Sequence, residues 1–398
     1  MKNLRNYVIL RTSKIITPTL EHLGRWATTM GVSAEQPDDI ELVQTELSLK
    51  ERNDIRRDPR TRAVAMPMPI KMIAPVRIRS SAETESSTIP WGLGAVGALE
   101  TPYTGKGIAV AVLDSGIDPD HPAFSGVQLT KRNFTTESDD DQNGHGTHCA
   151  GTIFGREVNG QRIGIATGVE RAIIGKVLGS EGGSSATIAQ AIQWAVSEGA
   201  HVISMSLGID FPGFVAYLIE RQGVNPEPAT SLALEAYRSN INLFRELADY
   251  VSAQSMFSHG TVIVAASGNE SHRPEYEIAV APPAAANGII SVGALEKTDQ
   301  GFKTTYFSNN QVDISGPGVD VVSAKPGGGL ASMSGTSMAT PHVAGVAALW
   351  AQRQLEKTGA INGQRLQARL VSCGSCKEMA TGMETEDIGT GMVQAPRE

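Results

Sequence analysis

The chain has 398 residues, of which 40% are apolar and 19% charged, and a net charge of −8. That balance fits a folded chain with one large domain and a smaller one. It argues against nucleic acid as the main partner, because no basic tract offsets the acidity. No apolar run approaches the length of a membrane-spanning helix, and three cysteines (Cys149, Cys373 and Cys376) are too few for a disulfide framework.

The first 80 residues read as a separate small unit. Tyr7–Leu10 is a strand; it is too short for a signal-peptide core and is closely followed by Arg11 and Lys14. The reading is therefore a chain that is cytoplasmic, exported by another route, or trimmed. A helix is expected over Leu20–Met30 and a strand over Ile40–Glu46. Residues 47–60 hold a helix capped by Ser48 and stopped before Pro59, and Ala63–Met68 closes a small sheet. Residues 79–90 are polar, and a linker is placed at 81–90.

From Trp91 to the end the chain alternates strands and helices. Strands are expected at 108–113, 172–178, 200–205, 261–266 and 289–293, and helices at 145–154, 185–198, 229–254 and 337–353. This alternation implies an α/β domain over 91–398: a doubly wound parallel sheet with helices on both faces, preceded by the small N-terminal α+β unit. Cys149 reads as a small buried apolar residue. Cys373 and Cys376 read as free thiols or an optional disulfide, since a zinc site would need more ligands.

Three stretches carry chemistry. Asp114 ends the apolar run Val110–Leu113, as expected of a residue at the carboxyl end of a buried parallel strand. His145 lies in Asn-Gly-His-Gly-Thr-His-Cys-Ala-Gly-Thr (143–152), and Ser337 lies in Ser-Gly-Thr-Ser-Met-Ala-Thr-Pro-His-Val-Ala-Gly (334–345). Singly, these could be a turn aspartate, a tight-turn or metal-ligating histidine and a helix-capping serine. Together, in the chain order Asp, His, Ser, they make a nucleophile, its base and the group that orients the base. His148, one turn on, is a second candidate base. Asn269 ends another apolar strand in Thr-Val-Ile-Val-Ala-Ala-Ser-Gly-Asn-Glu (261–270).

Over roughly residues 88–350 this pattern resembles the subtilisin-like serine proteases, with Cys149 placed as in the proteinase K branch. The resemblance implies a serine endopeptidase in which Asp114, His145 and Ser337 form the catalytic triad. His145 is preferred over His148, and Asn269 donates to the oxyanion. It further implies that an extended peptide pairs with Gly182, Gly183 and Ser184 on one wall and with Ser206, Leu207 and Gly208 on the other. Ala266, Ser267, Gly268 and Ala281 would line the pocket before the cut bond. That pocket suits an apolar side chain, or a basic one through Glu270.

The N-terminal unit resembles the inhibitory propeptide of these enzymes, an intramolecular partner that assists folding and fills the cleft until removed in or just upstream of 79–90. Catalysis would need no cofactor and no metal. Structural calcium is common in relatives; the acidic run Glu137–Asp141 is a candidate for it and equally a solvated loop, and no ligands are assigned. After Ser206-Leu-Gly the family usually has another glycine, but here Ile209-Asp-Phe-Pro follows and opens an enlarged insertion over 210–260. A transamidase on the same fold and a non-catalytic binding protein are the rival readings.

Overall fold

The computed structural model describes residues 4–13, 40–76, 89–254 and 259–398. The helix expected at Leu20–Met30 and most of the linker lie outside these residues. Within the N-terminal unit, strands β1 (Arg5–Thr12), β2 (Ile40–Leu47) and β3 (Thr61–Ala65) form an antiparallel sheet in the order β2-β1-β3. Between β2 and β3 lies helix α1 (Leu49–Ile55), shorter than the span expected. Ser48 caps it reciprocally: Ser48 N donates to Glu51 Oε2 at 2.8 Å and Glu51 N to Ser48 Oγ at 3.3 Å, two otherwise unpaired donors satisfied at once. A further strand, β4 (Pro69–Met72), belongs to neither that sheet nor the sheet of the main body.

The main body is built on an eight-stranded sheet. Its centre is β5 (Ala109–Asp114), flanked on one side by Arg171–Lys176 and Gln128–Asn133, and on the other by Val202–Met205, Val262–Ala266 and Ile290–Thr298. These pairings are parallel. Ile314–Pro317 extends the parallel set, and Gly301–Thr304 adds an antiparallel edge.

The strands alternate their apolar side chains between two cores. Val110, Val112, Val202 and Val264 face one, and Ala111, Leu113, Ile203 and Ile263 the other. Both faces are therefore covered, which is why these strands read as continuous apolar runs. Helices His145–Phe154 and Thr336–Thr358 pack on the first face, and Ser185–Ser197 and Pro226–Gln254 on the second.

The enlarged segment forms two helices, Phe211–Glu220 and Pro226–Gln254, and the second packs against β3. Asn240, fully buried in that helix, donates through Nδ2 to Met66 O at 2.8 Å, tying the N-terminal unit to the body. Asn240→Ala leaves the Met66 carbonyl without this donor, an expected cost of about 1–3 kcal/mol. Amide exchange should quicken across Thr61–Met72 and stay unchanged in β5; equal protection in both variants would show that the contact does not hold the unit in place.

Candidate active site

Asp114, at the carboxyl end of β5, and His145, at the first turn of its helix, are both buried, and Asp114 Oδ1 lies 2.7 Å from His145 Nδ1. Their approach is set by neighbours. Asp141 Oδ1 accepts from Ser115 Oγ and Gly144 N, each at 2.9 Å. Asp141 Oδ2 accepts from Thr147 N at 2.8 Å and Thr147 Oγ1 at 2.6 Å. One carboxylate thus caps the histidine helix and fastens it to the residue after Asp114, at the positive end of the helix dipole. The strand and helix also meet closely at Gly146, where a Cβ would lie 2.2 Å from Gly116 O.

Burial by itself would lower the His145 pKa, but the Asp114 carboxylate and the Cys149 sulfur beside it together outweigh burial and hold the imidazole well above its ordinary value. His148 is different. Its Nε2 faces the carbonyls of Val321 and Ala331 at 3.0 and 3.2 Å, and burial without a carboxylate drives its pKa down to about 3. It is a neutral packing residue. Burial pushes the Cys149 thiol up, and its Sγ approaches Ser337 O at 3.4 Å. Cys373 is pushed up to about 11 by burial, and all three cysteines are free.

Ser337 is the second residue of its helix and is fully buried. Its Oγ donates to Ile73 O at 2.8 Å, and His145 Nε2 has no hydrogen-bond partner among the described residues. Asn269 is aimed by Thr336, whose N–H and hydroxyl both donate to Asn269 Oδ1 at 2.9 Å; Asn269 Nδ2 is then left to donate to Ala74 O at 3.0 Å.

The residues touching Ser337 and Asn269 continue from β4, which fills the cleft between its two walls. On one side Gly183 pairs with Ile70 and Ser184 with Pro69; on the other Leu207, Gly208 and Ile209 pair with Met72, Lys71 and Ile70, all antiparallel. A Cβ at Gly182 would lie 2.4 Å from Ile70 O, so that wall needs glycine. Beyond the strand, Ile73 N meets Ser206 O at 3.5 Å and Val76 N donates to Ser334 O at 2.7 Å. A Cβ on Gly208 would sit 3.7 Å from Ile73 Cδ1 and 3.8 Å from Ala281 Cβ, which places Ile73 at an apolar hollow. Ala266, Ser267 and Gly268 lead into Asn269, and Ala281 N donates to Ser267 O at 3.2 Å.

Three positioning residues escape the motif reading: Asp141, Thr336 and Asn309. Asn309 is fully buried and accepts through Oδ1 from Glu270 N and Ser271 N, each at 3.0 Å, fixing the loop after Asn269. Their only sequence signal is proximity to the motifs, and for Asn309 not even that. Several carboxylates of the acidic run are held by the protein's own donors. Asp141 is a helix cap, Glu137 accepts from Ser180 N and Oγ at 2.7 Å, and Asp139 from Asn133 at 3.0 Å. Among the described residues, the one group whose donor atoms converge is Asp114, His145 and Cys149.

A doubly wound sheet thus carries the buried aspartate–histidine pair at a strand end and the serine at a helix start beside one cleft. The family model described as the subtilase family (peptidase S8) matches residues 105–375, and the chain belongs to that family. It is 30% identical over 352 residues to the thermostable alkaline protease of Halalkalibacterium halodurans, covering 87% of this chain and 82% of that one. It is 34% identical over 313 residues to subtilisin Savinase of Lederbergia lenta, covering 77% and 100%. It is also 34% identical over 276 residues to an intracellular serine protease of Paenibacillus polymyxa, covering 67% and 74%. The chain is a serine-type endopeptidase acting on protein or peptide substrates. No described helix is long and apolar enough to cross a membrane.

The raised His145 value has a definite sign. The imidazolium's contribution to the stability of the folded state is complete below the ordinary histidine value of about 6.5 and fades as pH climbs through the raised one. An NMR titration of His145 in the Ser337→Ala chain should place its midpoint above the ordinary value, and Asp114→Asn should return it downward. A midpoint at or below the ordinary value in the Ser337→Ala chain would contradict the pairing.

Proposed function

We propose that the chain hydrolyses peptide bonds through an acyl-enzyme on Ser337 and that its own residues 1–80 act as an intramolecular inhibitor. His145 Nε2 takes the Ser337 proton as Oγ attacks a carbonyl carbon, then returns it to the departing amine as the C–N bond breaks. Asp114 holds Nδ1–H toward itself and stabilises the imidazolium. Asn269 Nδ2, with the Ser337 N–H, receives the oxyanion. Water then attacks the acyl-enzyme, and His145 again serves as the base. The cleft walls 182–184 and 206–208, and the hollow at Ala266–Gly268 and Ala281, hold the extended substrate.

The carrying observation is how the filled cleft divides its contacts. In a reacting complex a single carbonyl must present its carbon to Oγ and its oxygen to the Asn269 amide. Here the two contacts fall on successive residues: Ile73 O meets Ser337 Oγ at 2.8 Å and Ala74 O meets Asn269 Nδ2 at 3.0 Å. Pro75 follows; it has no N–H, and it disfavours the helical region for Ala74. This supports reading 69–76 as an inhibitor bound like a substrate but out of step for cutting. Release then requires a one-residue shift or a cut elsewhere along the segment.

Incubating the wild-type chain beside Ser337→Ala and following intact mass tests the whole reading. Only the wild type should shed an N-terminal fragment with addition of one water, and only the wild type should react with a fluorophosphonate. A ring or ligated product without added water would make it a transamidase, and absence of both cutting and labelling would make it a binding protein. Asn269→Ala should lower kcat by about 10²–10³.

A further inference from the structure

The side chain of Lys71 in the cleft strand is met by two carboxylates. Its Nζ lies 3.4 Å from Asp210 Oδ1 and 3.3 Å from Glu270 Oε1. Strand pairing sets Lys71 opposite Gly208 and brings Ile73 N to Ser206 O at 3.5 Å, so in the register of the cleft wall Ile73 takes the place of the residue before the cut bond and Lys71 that of the third. From this we infer that Asp210 and Glu270 form an acidic subsite that selects a basic side chain, lysine or arginine, at the third residue before the cut bond. The inference rests on the proposed peptidase reading and adds a substrate class to it.

Isolated ion pairs at this degree of exposure are often worth nothing measurable, because ordering two long side chains offsets the attraction. Here the carboxylates are already ordered by the protein. Asp210 caps the helix Phe211–Glu220, accepting from Gly213 N at 3.2 Å, and its own N–H donates to Pro69 O at 3.1 Å. Glu270 Oε2 accepts from Asn309 Nδ2 at 2.9 Å, and Asn309 is itself fully buried. A substrate lysine therefore loses only its own freedom on entering, and its ammonium meets two charges at once. Neutral side chains gain nothing there, and an acidic one is repelled. Asp210 lies in the Ile209-Asp210-Phe211-Pro212 stretch that departs from the usual glycine, so the departure itself builds the subsite.

Two measurements decide it. In peptides differing only at the third residue before the cut bond, the wild-type chain should favour lysine over glutamine in kcat/KM by about three- to tenfold and disfavour glutamate. The double variant Asp210→Asn, Glu270→Gln keeps the helix cap and the Asn309 contact, and in it the ratio should fall to about one. No lysine preference, or one that survives in the double variant, overturns the inference. The second readout needs no catalysis. In the full-length Ser337→Ala chain, amide exchange over 69–73 should quicken from Lys71 to Lys71→Gln to Lys71→Glu, and the series should flatten when Asp210→Asn and Glu270→Gln are added. A flat series from the start overturns the subsite. An ordered series, alongside a wild-type chain that cuts no peptide, upholds the subsite and overturns the acyl-enzyme reading instead.

Discussion

Asp141 joins the strand that carries Asp114 to the helix that carries His145. Its two oxygens take four donors, from Ser115, Gly144 and both groups of Thr147, so the end of β5 and the start of the helix cannot drift apart. The 2.7 Å contact between Asp114 and His145 follows from that junction. So does the larger part of what raises the His145 pKa: the nearby carboxylate, with Cys149 adding to it, overcomes desolvation of the imidazolium. The opposite bank is fixed by the same device in amide form: Thr336 saturates one end of Asn269, which leaves the other end pointed into the cleft. Both banks are held by neighbouring side chains rather than by anything that enters the cleft.

Much of this was legible in the sequence. Buried parallel strands must be apolar on both faces, so Val110–Leu113 and Thr261–Ala266 announce themselves, and the chemistry-bearing residues sit where such strands end. Helix ends were legible where a cap was local, as at Ser48 with Glu51. What escaped depends on pairings across long stretches of chain. Asn309 steadies the loop after Asn269 from 39 residues beyond Glu270 in sequence, and nothing in its own neighbourhood marks it. Asp141 was visible only as part of an acidic run, where a calcium loop and a solvated loop look the same; its role as a cap appears once Thr147 and Ser115 stand beside it. The strand Pro69–Met72 was hidden because both its partners belong to the main body.

The enlarged segment after Gly208 has two separate attachments. Its long helix reaches the N-terminal unit through Asn240 and Met66, and its first residue, Asp210, reaches the cleft strand through Pro69 and Lys71. One insertion thus touches both the unit that precedes the cleft and the cleft itself. Displacing the N-terminal unit would strip that helix of the Asn240–Met66 partner. The two attachments lie about thirty residues apart on one continuous helix–turn–helix segment, the distance from Asp210 to Asn240.

With β4 in place, the cleft is a three-stranded sheet whose middle strand is borrowed. Lift that strand out and two unpaired edges face one another across a gap one strand wide. Neither edge can join a neighbouring molecule's sheet, because the opposite wall stands in the way, so the danger of exposed edges is contained by geometry. The same gap is a gauge of folding state. A helix of about 10 Å diameter cannot enter a slot sized for one strand at about 4.8 Å spacing on each side. Only a segment that can surrender its own structure over some six residues reaches Ser337, so what this cleft measures first in a substrate is local unfolding, and only afterwards its side chains.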